Sequence, residues 1–345
     1  MMTERINNMP VLGICGLSGA GKTTLIEELA RMFIDLGLRV AVVKDGAHNV
    51  RVDQPGKDSD RFYRTGADVC LLGEENFRRR HDKGGYPALF GSLCSDHDLV
   101  LVEGHGSTPV PKIWLLGKGY SEPPPGAGEV LLTLERSMIN TEAVYDFILR
   151  WLRETWLRTP VWGCVLIGGR SRRMGCPKHL IEKEGRTWLE HLMAKLGPVT
   201  DKLVLAGKGE LPSGLGATVR LVDAPGVQGP LAGILAAMRW NPAVTWLVAA
   251  CDLPDIQTEA LEWLLAKRRP GAWALLPDLD GHGRVEPLLA HYDFRCRPLF
   301  EEMALAGCYR INRITGHSAV HTPVPPTGLR ISWRNVNTPE QLTLP

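Results

Sequence analysis

Short apolar runs alternate with stretches of helical periodicity along most of the chain. The first run covers 11–15 and leads into a glycine-rich turn. After the turn, apolar residues recur at helical spacing, at Leu25, Leu29, Met32, Phe33 and Leu36. Further apolar runs lie at 40–43, 69–72, 99–102, 113–116 and 130–134. Such short, continuous apolar runs are typical of strands buried on both faces of a parallel sheet, and a helix is predicted over about 140–157.

The same theme of strand, glycine turn and helix begins again after Pro160. The pattern predicts strands at 161–167, 203–206, 219–222 and 245–250. It predicts helices at 187–196, 231–239 and 259–268. Strands that alternate with helices of about ten to fifteen residues indicate βαβ units. We therefore expect two α/β domains, both doubly wound, over 1–157 and 158–345.

Composition and charge exclude several classes of protein. The 345 residues include 40 basic and 38 acidic side chains, which gives a net charge of +2 and argues against a nucleic-acid-coating protein. No run approaches the roughly 18 apolar residues of a membrane span. The start of the sequence, MMTERINNMP, has no apolar stretch of the signal-peptide kind. We expect a cytoplasmic protein that binds neither nucleic acid nor a membrane.

A phosphate-binding loop is predicted at 16–23. The sequence GLSGAGKT fills every fixed position of the pattern GxxxxGK[ST], directly after an apolar strand and before a helix. Backbone amides and the lysine of this loop are suited to nucleotide phosphates, and we expect nucleotide binding by Gly16, Ser18, Gly19, Ala20, Gly21, Lys22, Thr23 and Thr24. Thr23 and the strand-end Glu103 are expected to hold Mg²⁺. The guanine-reading motif N/T-K-x-D is absent where it would be expected, so this pattern does not choose the base.

A second phosphate site is predicted at 166–178, which reads LIGGRSRRMGCPK. Its two glycines follow an apolar strand and allow the backbone to approach a triphosphate closely. Four cations follow within the same loop, at Arg170, Arg172, Arg173 and Lys178. Such a basic loop suits a polyanion whose charge grows during a reaction.

Two carboxylates complete this second site. Asp252 follows the most hydrophobic strand and precedes Pro254, and Asp223 follows another strand. Ligands bind beyond the carboxyl ends of the strands in open α/β sheets. We expect Asp252 to hold a divalent metal and Asp223 to contact the ligand.

These motifs resemble two protein families of molybdenum cofactor biosynthesis. The second half resembles the molybdenum cofactor guanylyltransferases (the MobA family) through GGRSRRMG with Lys178, GPLAGI at 229–234, CDLP at 251–254 and NVNTPEQL at 335–342. The first half resembles the GTP-binding protein of the same pathway (the MobB family). The residues that carry this are the phosphate loop, PGKDSDRFYRTGAD at 55–68 and LVLVEGHGSTPVPKI at 99–113.

The resemblance implies transfer of GMP from GTP to molybdopterin, which yields molybdopterin guanine dinucleotide and pyrophosphate. It implies a P-loop NTPase domain with weak GTPase activity over 1–157, a Rossmann-like nucleotidyltransferase domain over 158–345, and Mg²⁺ as cofactor. The implied catalytic residues are Arg173, Lys178 and Asp252, and the implied nucleotide contacts are Leu166, Ile167, Gly168, Gly169, Lys178, Asp223 and Asp252. The expected partners are molybdopterin, GTP, proteins of molybdoenzyme maturation and a second copy of the chain.

The chain departs from both family patterns in places, and rival functions stay open. Pro177 stands before Lys178 where the first family commonly has Asp, and no base-contacting Asn is evident in LVLAGKGEL. In the first half, Lys44 is followed by Asp45 rather than by His. The alternatives are a molybdopterin cytidylyltransferase or a sugar-phosphate nucleotidyltransferase, joined to a regulatory or metallochaperone-like GTPase domain.

Overall fold

The computed structural model describes residues 9–45, 55–73, 75–79, 85–117, 119–168, 176–336, 338 and 341. The chain forms two compact units, Met1–Leu152 and Arg153–Pro345. The division between them falls inside a helix, shortly before the predicted domain boundary at 157/158. That boundary stays a prediction. None of the described helices is long and apolar enough to span a membrane.

The first unit is built on a parallel sheet with the strand order β2-β5-β1-β6-β7. Its strands are β1 (Val11–Gly16), β2 (Val40–Lys44), β3 (Val69–Leu71), β4 (Phe77–Arg79), β5 (Leu99–Gly104), β6 (Lys112–Leu116) and β7 (Val130–Glu135). Its helices are α1 (Lys22–Asp35), α2 (Asp58–Arg64), α3 (Gly85–Cys94) and α4 (Thr141–Leu157), the last of which ends beyond this unit. The predicted parallel α/β architecture is confirmed.

One predicted strand of this unit lies outside the main sheet. The apolar run at 69–72 was expected to be buried between parallel neighbours, but β3 pairs antiparallel with β4 in a separate two-stranded ribbon. The observed strand has only three residues, and Leu71 and Leu72 are both exposed, so this run is not a strand buried on both faces. By contrast, every residue of β1 is buried, and α1 covers it with Leu25, Leu29 and Phe33.

The second unit contains a mixed sheet with the strand order β12-β11-β8-β13-β15-β14-β16. Its strands are β8 (Val161–Ile167), β9 (Glu182–Lys183), β10 (Arg186–Thr187), β11 (Lys202–Gly207), β12 (Val219–Leu221), β13 (Thr245–Ala250), β14 (Ala274–Leu275), β15 (Leu289–Tyr292) and β16 (Val320–His321). Its helices are α5 (Trp188–Leu196), α6 (Pro230–Trp240), α7 (Thr258–Leu265) and α8 (Cys296–Leu305). The predicted strands and helices up to α7 are found within a few residues of their expected bounds.

The sheet of the second unit is parallel only in part. Strands β12, β11, β8 and β13 are parallel, whereas β15 runs antiparallel to both β13 and β14. Because β15 is reversed, its first residues lie at the same edge of the sheet as the last residues of β13. Residues from two directions of the chain therefore meet at one edge, and this edge carries the second site.

Candidate functional site

Glycines shape the turn between β1 and α1. A side chain at Gly16 would place its Cβ 2.4 Å from the carbonyl oxygen of Leu115, so only glycine fits there. Gly19 and Gly21 have φ angles of +76° and +94°, in the left-handed region that favours glycine. Gly21 is also the residue before the first turn of α1 and supplies no side-chain cap, so the first helical amides stay open to an anion.

The lysine of this turn lies against the loop backbone. The Lys22 ammonium donates hydrogen bonds to the carbonyl oxygens of Gly16 and Leu17, at 3.0 and 2.9 Å. This contact fixes the ammonium over the turn whose amides were predicted to bind phosphate. The structure thus brings together the predicted residues Gly16, Ser18, Gly19, Ala20, Gly21, Lys22, Thr23 and Thr24 in one strand–turn–helix segment, and their binding role stays a prediction.

Glu103 lies beside this turn, as the sequence predicted. Glu103 of β5 lies opposite Ile14 of β1 in the parallel sheet, so β1 and β5 end at the same edge. The Thr23 hydroxyl donates to Glu103 Oε1 at 3.1 Å, and the Lys44 ammonium lies 3.7 Å from Glu103 Oε2. A hydroxyl and a carboxylate within hydrogen-bond distance are oxygen ligands of the kind that Mg²⁺ prefers.

Two polar groups support this edge through contacts that the sequence did not indicate. Asp45 accepts hydrogen bonds from the Thr108 hydroxyl at 2.6 Å and from the Tyr86 hydroxyl at 2.9 Å. Lys112 is 1% exposed, and its ammonium donates to the carbonyl oxygens of Gly106 and Thr108, both at 2.7 Å, and to that of Ala127. A lysine at the head of an apolar strand was the only sign of such an anchor.

A second glycine turn follows β8. The φ angle of Gly168 is +109°, and a Cβ there would lie 3.1 Å from the carbonyl oxygen of Lys208. The neighbouring strand β11 also ends in glycine, since a Cβ at Gly207 would lie 1.9 Å from the carbonyl oxygen of Ile167. Two backbones therefore approach closely at the carboxyl edge of the sheet, where the predicted contacts Ile167 and Gly168 lie.

Helix α6 begins against the same edge. A Cβ at Gly233 would lie 2.8 Å from Leu166 Cδ2 and 3.8 Å from Asp223 Oδ1, so this glycine lies between two of the predicted nucleotide contacts. The amide of Cys251, at the end of β13, donates to the Leu166 carbonyl oxygen at 3.2 Å. Leu166 and Asp223 thus lie on one side of the end of β13.

Lys178 and Asp252 form an ion pair at the centre of the edge. Lys178 Nζ lies 3.2 Å from Asp252 Oδ2, with the two side chains 13% and 22% exposed. The other carboxylate oxygen, Oδ1, is buried and has no hydrogen-bond partner within the described part of the chain. The Asp252 carbonyl oxygen accepts from the Val336 amide at 3.0 Å, which ties the NVNTPEQL segment to the site. The other predicted residues of the basic loop lie outside the described residues, and they are Gly169, Arg170, Arg172 and Arg173.

Glu286 is a further carboxylate at this edge, and sequence reasoning missed it. It lies in the loop before β15, and its amide donates to the Pro277 carbonyl oxygen. Burial raises the pKa of the Glu286 carboxyl above its ordinary value; Arg284 opposes this shift and the charge of Asp252 adds to it. No motif marked Glu286, because only the reversed strand β15 brings it to the edge of the sheet where the charge of Asp252 acts on it.

Glu286 lines a cavity of about 480 Å³. The lining residues are mostly polar, and they are Leu279, Asp280, Arg284, Glu286, Arg330, Trp333, Arg334, Asn335 and Gln341. The loop that carries Arg284 is held by Asp278, whose carboxylate accepts from the amides of Gly281 at 3.1 Å and Gly283 at 2.7 Å. The cavity volume falls in the range of about 300–1,000 Å³ that is usual for small-molecule sites.

Two α/β units, each with a glycine turn and a strand-end carboxylate at the carboxyl edge of its sheet, define a protein that binds nucleotides at two places. The comparisons with known proteins divide at the same point of the chain. Residues 11–133 match the family described as molybdopterin guanine dinucleotide synthesis protein B. Residues 163–321 match the family described as MobA-like NTP transferase domain.

Individual relatives match one half of the chain each. The chain is 34% identical over 162 residues to a molybdopterin-guanine dinucleotide biosynthesis adapter protein of Haemophilus influenzae, covering 42% of this chain and 91% of the relative. It is 32% identical over 195 residues to a molybdenum cofactor guanylyltransferase of a Bradyrhizobium species, covering 53% of this chain and 91% of the relative. A molybdenum cofactor biosynthesis bifunctional protein of a Synechocystis species is 32% identical over 154 residues, which is 44% of each chain.

The chain therefore belongs to the MobB family in its first half and to the MobA-like NTP transferase family in its second half. The resemblance identified from the sequence motifs is confirmed.

Proposed function

We propose that this protein makes molybdopterin guanine dinucleotide. Its second unit transfers GMP from GTP to molybdopterin and releases pyrophosphate, and its first unit binds GTP as an adapter with weak GTPase activity. The observation that carries the proposal is the Lys178–Asp252 pair, which lies beside the glycine turn after β8 at the carboxyl edge of the sheet. Family membership of both halves supports the same function.

The donor set of the second unit fits Mg²⁺. Asp252 offers a buried carboxylate oxygen that no described residue satisfies, and carboxylate oxygen is a preferred ligand of this cation. In the first unit, the adjacent oxygens of Thr23 and Glu103 fit the same ion. When bound, Mg²⁺ neutralises phosphate charge and polarises the phosphoryl group.

Positioning and charge neutralisation carry the proposed reaction. The terminal phosphate of molybdopterin is already largely ionised near pH 7, because a phosphate monoester has a second pKa of about 6. It attacks the α-phosphorus of GTP, a new P–O bond forms, and the bond to the β-phosphate oxygen breaks to release pyrophosphate. The Lys178 ammonium offsets the charge on the departing group, and Arg173 is proposed to do the same. No general base is needed for this step.

Leu166, Ile167, Gly168, Gly169 and Asp223 are proposed to bind the donor GTP. The close approach of α6 at Gly233 supports this, since a Cβ there would lie within 4 Å of both Leu166 and Asp223. We further propose that the domains divide at 157/158 and that the protein works in the cytoplasm. Its product would pass to proteins of molybdoenzyme maturation, with a homodimer as the working assembly.

The first experiment tests the transferase reaction. The full chain is incubated with molybdopterin, Mg²⁺ and either GTP or CTP, and the dinucleotide is identified by mass spectrometry. We expect the guanine dinucleotide, and formation of only the cytosine dinucleotide would refute the base assignment. Asp252→Asn should lower the rate about 10²–10³-fold. The control Glu259→Gln, at an exposed position of α7, should keep the wild-type rate.

The second experiment tests the adapter unit. Lys22→Met removes the ammonium over the first glycine turn, whereas Arg150→Met removes an exposed cation from α4. Titration of each full-length variant with GTP should show one lost binding event for Lys22→Met and none for Arg150→Met. Two intact binding events in Lys22→Met would contradict the role of this turn.

A further inference from the structure

Glu286 is a half-buried carboxylate that lines the cavity and has no evident structural role. It is half-buried, and among the described residues its carboxylate has neither a hydrogen-bond nor an ion-pair partner. Burial disfavours the ionised form of this carboxylate, and the Arg284 cation offsets only part of that effect. The side chain faces a cavity of about 480 Å³ rather than the apolar core. Such a group is expected to find its partner in a ligand.

The strand order places this cavity on the opposite side of Asp252 from the donor contacts. The order is β12-β11-β8-β13-β15, with Asp252 at the end of β13. Asp223 and Leu166 lie at the ends of β12 and β8, on one side, and Glu286 lies before β15, on the other. A reaction centred on Asp252 therefore has its donor nucleotide over β12 to β8 and its acceptor over β15.

The chemistry of the acceptor matches a carboxylate. A pterin presents a 2-amino group and the N3–H side by side, and the two oxygens of one carboxylate can accept both hydrogen bonds. These bonds are charge-assisted and hence stronger than neutral ones. Guanine presents the same pair of donors, but the donor nucleotide lies on the far side of Asp252.

We propose that Glu286 is the specificity residue for the acceptor and holds the amino-pyrimidinone edge of its pterin in this cavity. The inference rests on the proposed function, because that function supplies the acceptor. Glu286 binds and orients the pterin and takes no part in proton transfer. Arg284, which lines the same cavity, helps to keep the carboxylate ionised.

Steady-state kinetics of Glu286→Gln in the full chain test the inference. Gln keeps the size but offers one acceptor in place of two. We expect the KM for molybdopterin to rise about 10- to 100-fold, the usual range for a lost charged hydrogen bond, with the KM for GTP unchanged. The unchanged KM for GTP also shows that the variant folds. Glu302→Gln, an exposed position of α8, is the matched control.

A binding measurement tests whether the protein recognises the 2-amino group of the pterin. The intrinsic fluorescence of pterin, and of lumazine, which has oxygen in place of the 2-amino group, reports their affinity for the protein. The wild type should prefer pterin and Glu286→Gln should lose this preference. No preference in the wild type, or a raised KM for GTP instead of molybdopterin, overturns the inference. If the wild type makes no dinucleotide at all, the proposed function fails, whereas dinucleotide formation without pterin preference refutes only the role of Glu286.

Discussion

Replacing Gly207 with alanine should unfold the edge of the second sheet. Gly207 is the last residue of β11, its φ angle is +120°, and a Cβ there would lie 1.9 Å from the Ile167 carbonyl oxygen. Non-bonded carbon contacts are comfortable only at about 3.5 Å. The obstructing atom belongs to the backbone of β8 and cannot rotate away as a side chain would. The strands must therefore separate by more than about 1 Å at this point.

The cost follows from the two contributions. Holding alanine at this φ angle costs about 1–3 kcal/mol. Separating the strand ends weakens one or two ladder hydrogen bonds, each worth about 0.5–1.5 kcal/mol. The sum is about 1.5–6 kcal/mol, a large share of the roughly 5–15 kcal/mol by which a domain is stable.

Hydrogen exchange measured by mass spectrometry can assign the loss to this unit. Amides of β8 and β11 should exchange at least tenfold faster in Gly207→Ala, whereas those of β1 and β5 in the other unit should not change. The matched control is Gly328→Ala, because Gly328 lies in the helical turn Thr327–Trp333, has no left-handed φ angle, and has nothing within 4 Å of its Cβ position. That change should stabilise by about 0.4–1 kcal/mol. Equal exchange rates in Gly207→Ala and the wild type would refute the reasoning.

Three further predictions concern buried groups. Burial lowers the pKa of His291 well below its ordinary value, so the stability of the protein should fall as pH drops below about 6.5. His291→Leu should weaken this pH dependence, which is measured by urea unfolding at pH 5 and pH 7.5. Lys112→Met leaves three carbonyl oxygens without their hydrogen-bond donor and should clearly lower the melting temperature of the first unit. An unchanged melting temperature would contradict a stabilising role for Lys112. Burial raises the pKa values of Cys164 and Cys251 to about 12, so iodoacetamide at pH 8 should label exposed Cys176 and spare both until the protein unfolds.

Local pattern was sufficient to predict the glycine turns. In both units a strand, a glycine and a helix are consecutive in sequence, so the φ angles of Gly21 and Gly168 follow from short-range sterics. Asp252 was predictable for the same reason, since it directly follows the most hydrophobic strand. Apolar periodicity also marked the helices α1 and α4 close to their observed bounds.

Long-range pairing was not predictable. The short strands β14 to β16 carry too few residues for a period to show, and the reversal of β15 depends on its partners rather than on its own sequence. Glu286 enters the site only through that reversal, so no motif indicated it. The burial of Lys112 likewise depends on three carbonyl oxygens from two separate loops. Local sequence patterns do not indicate such contacts between distant parts of the chain.

The loop held by Asp278 has a consequence for how molecules are admitted to the cavity. The Asp278 carboxylate already holds the amides of Gly281 and Gly283 in the free protein. Binding of a ligand therefore costs little conformational entropy in this loop. A loop that is already fixed adds selection by shape to the hydrogen bonds proposed for Glu286. Mutating Asp278 should loosen this loop and lower the selectivity of the cavity, although Asp278 is not one of the residues that line it.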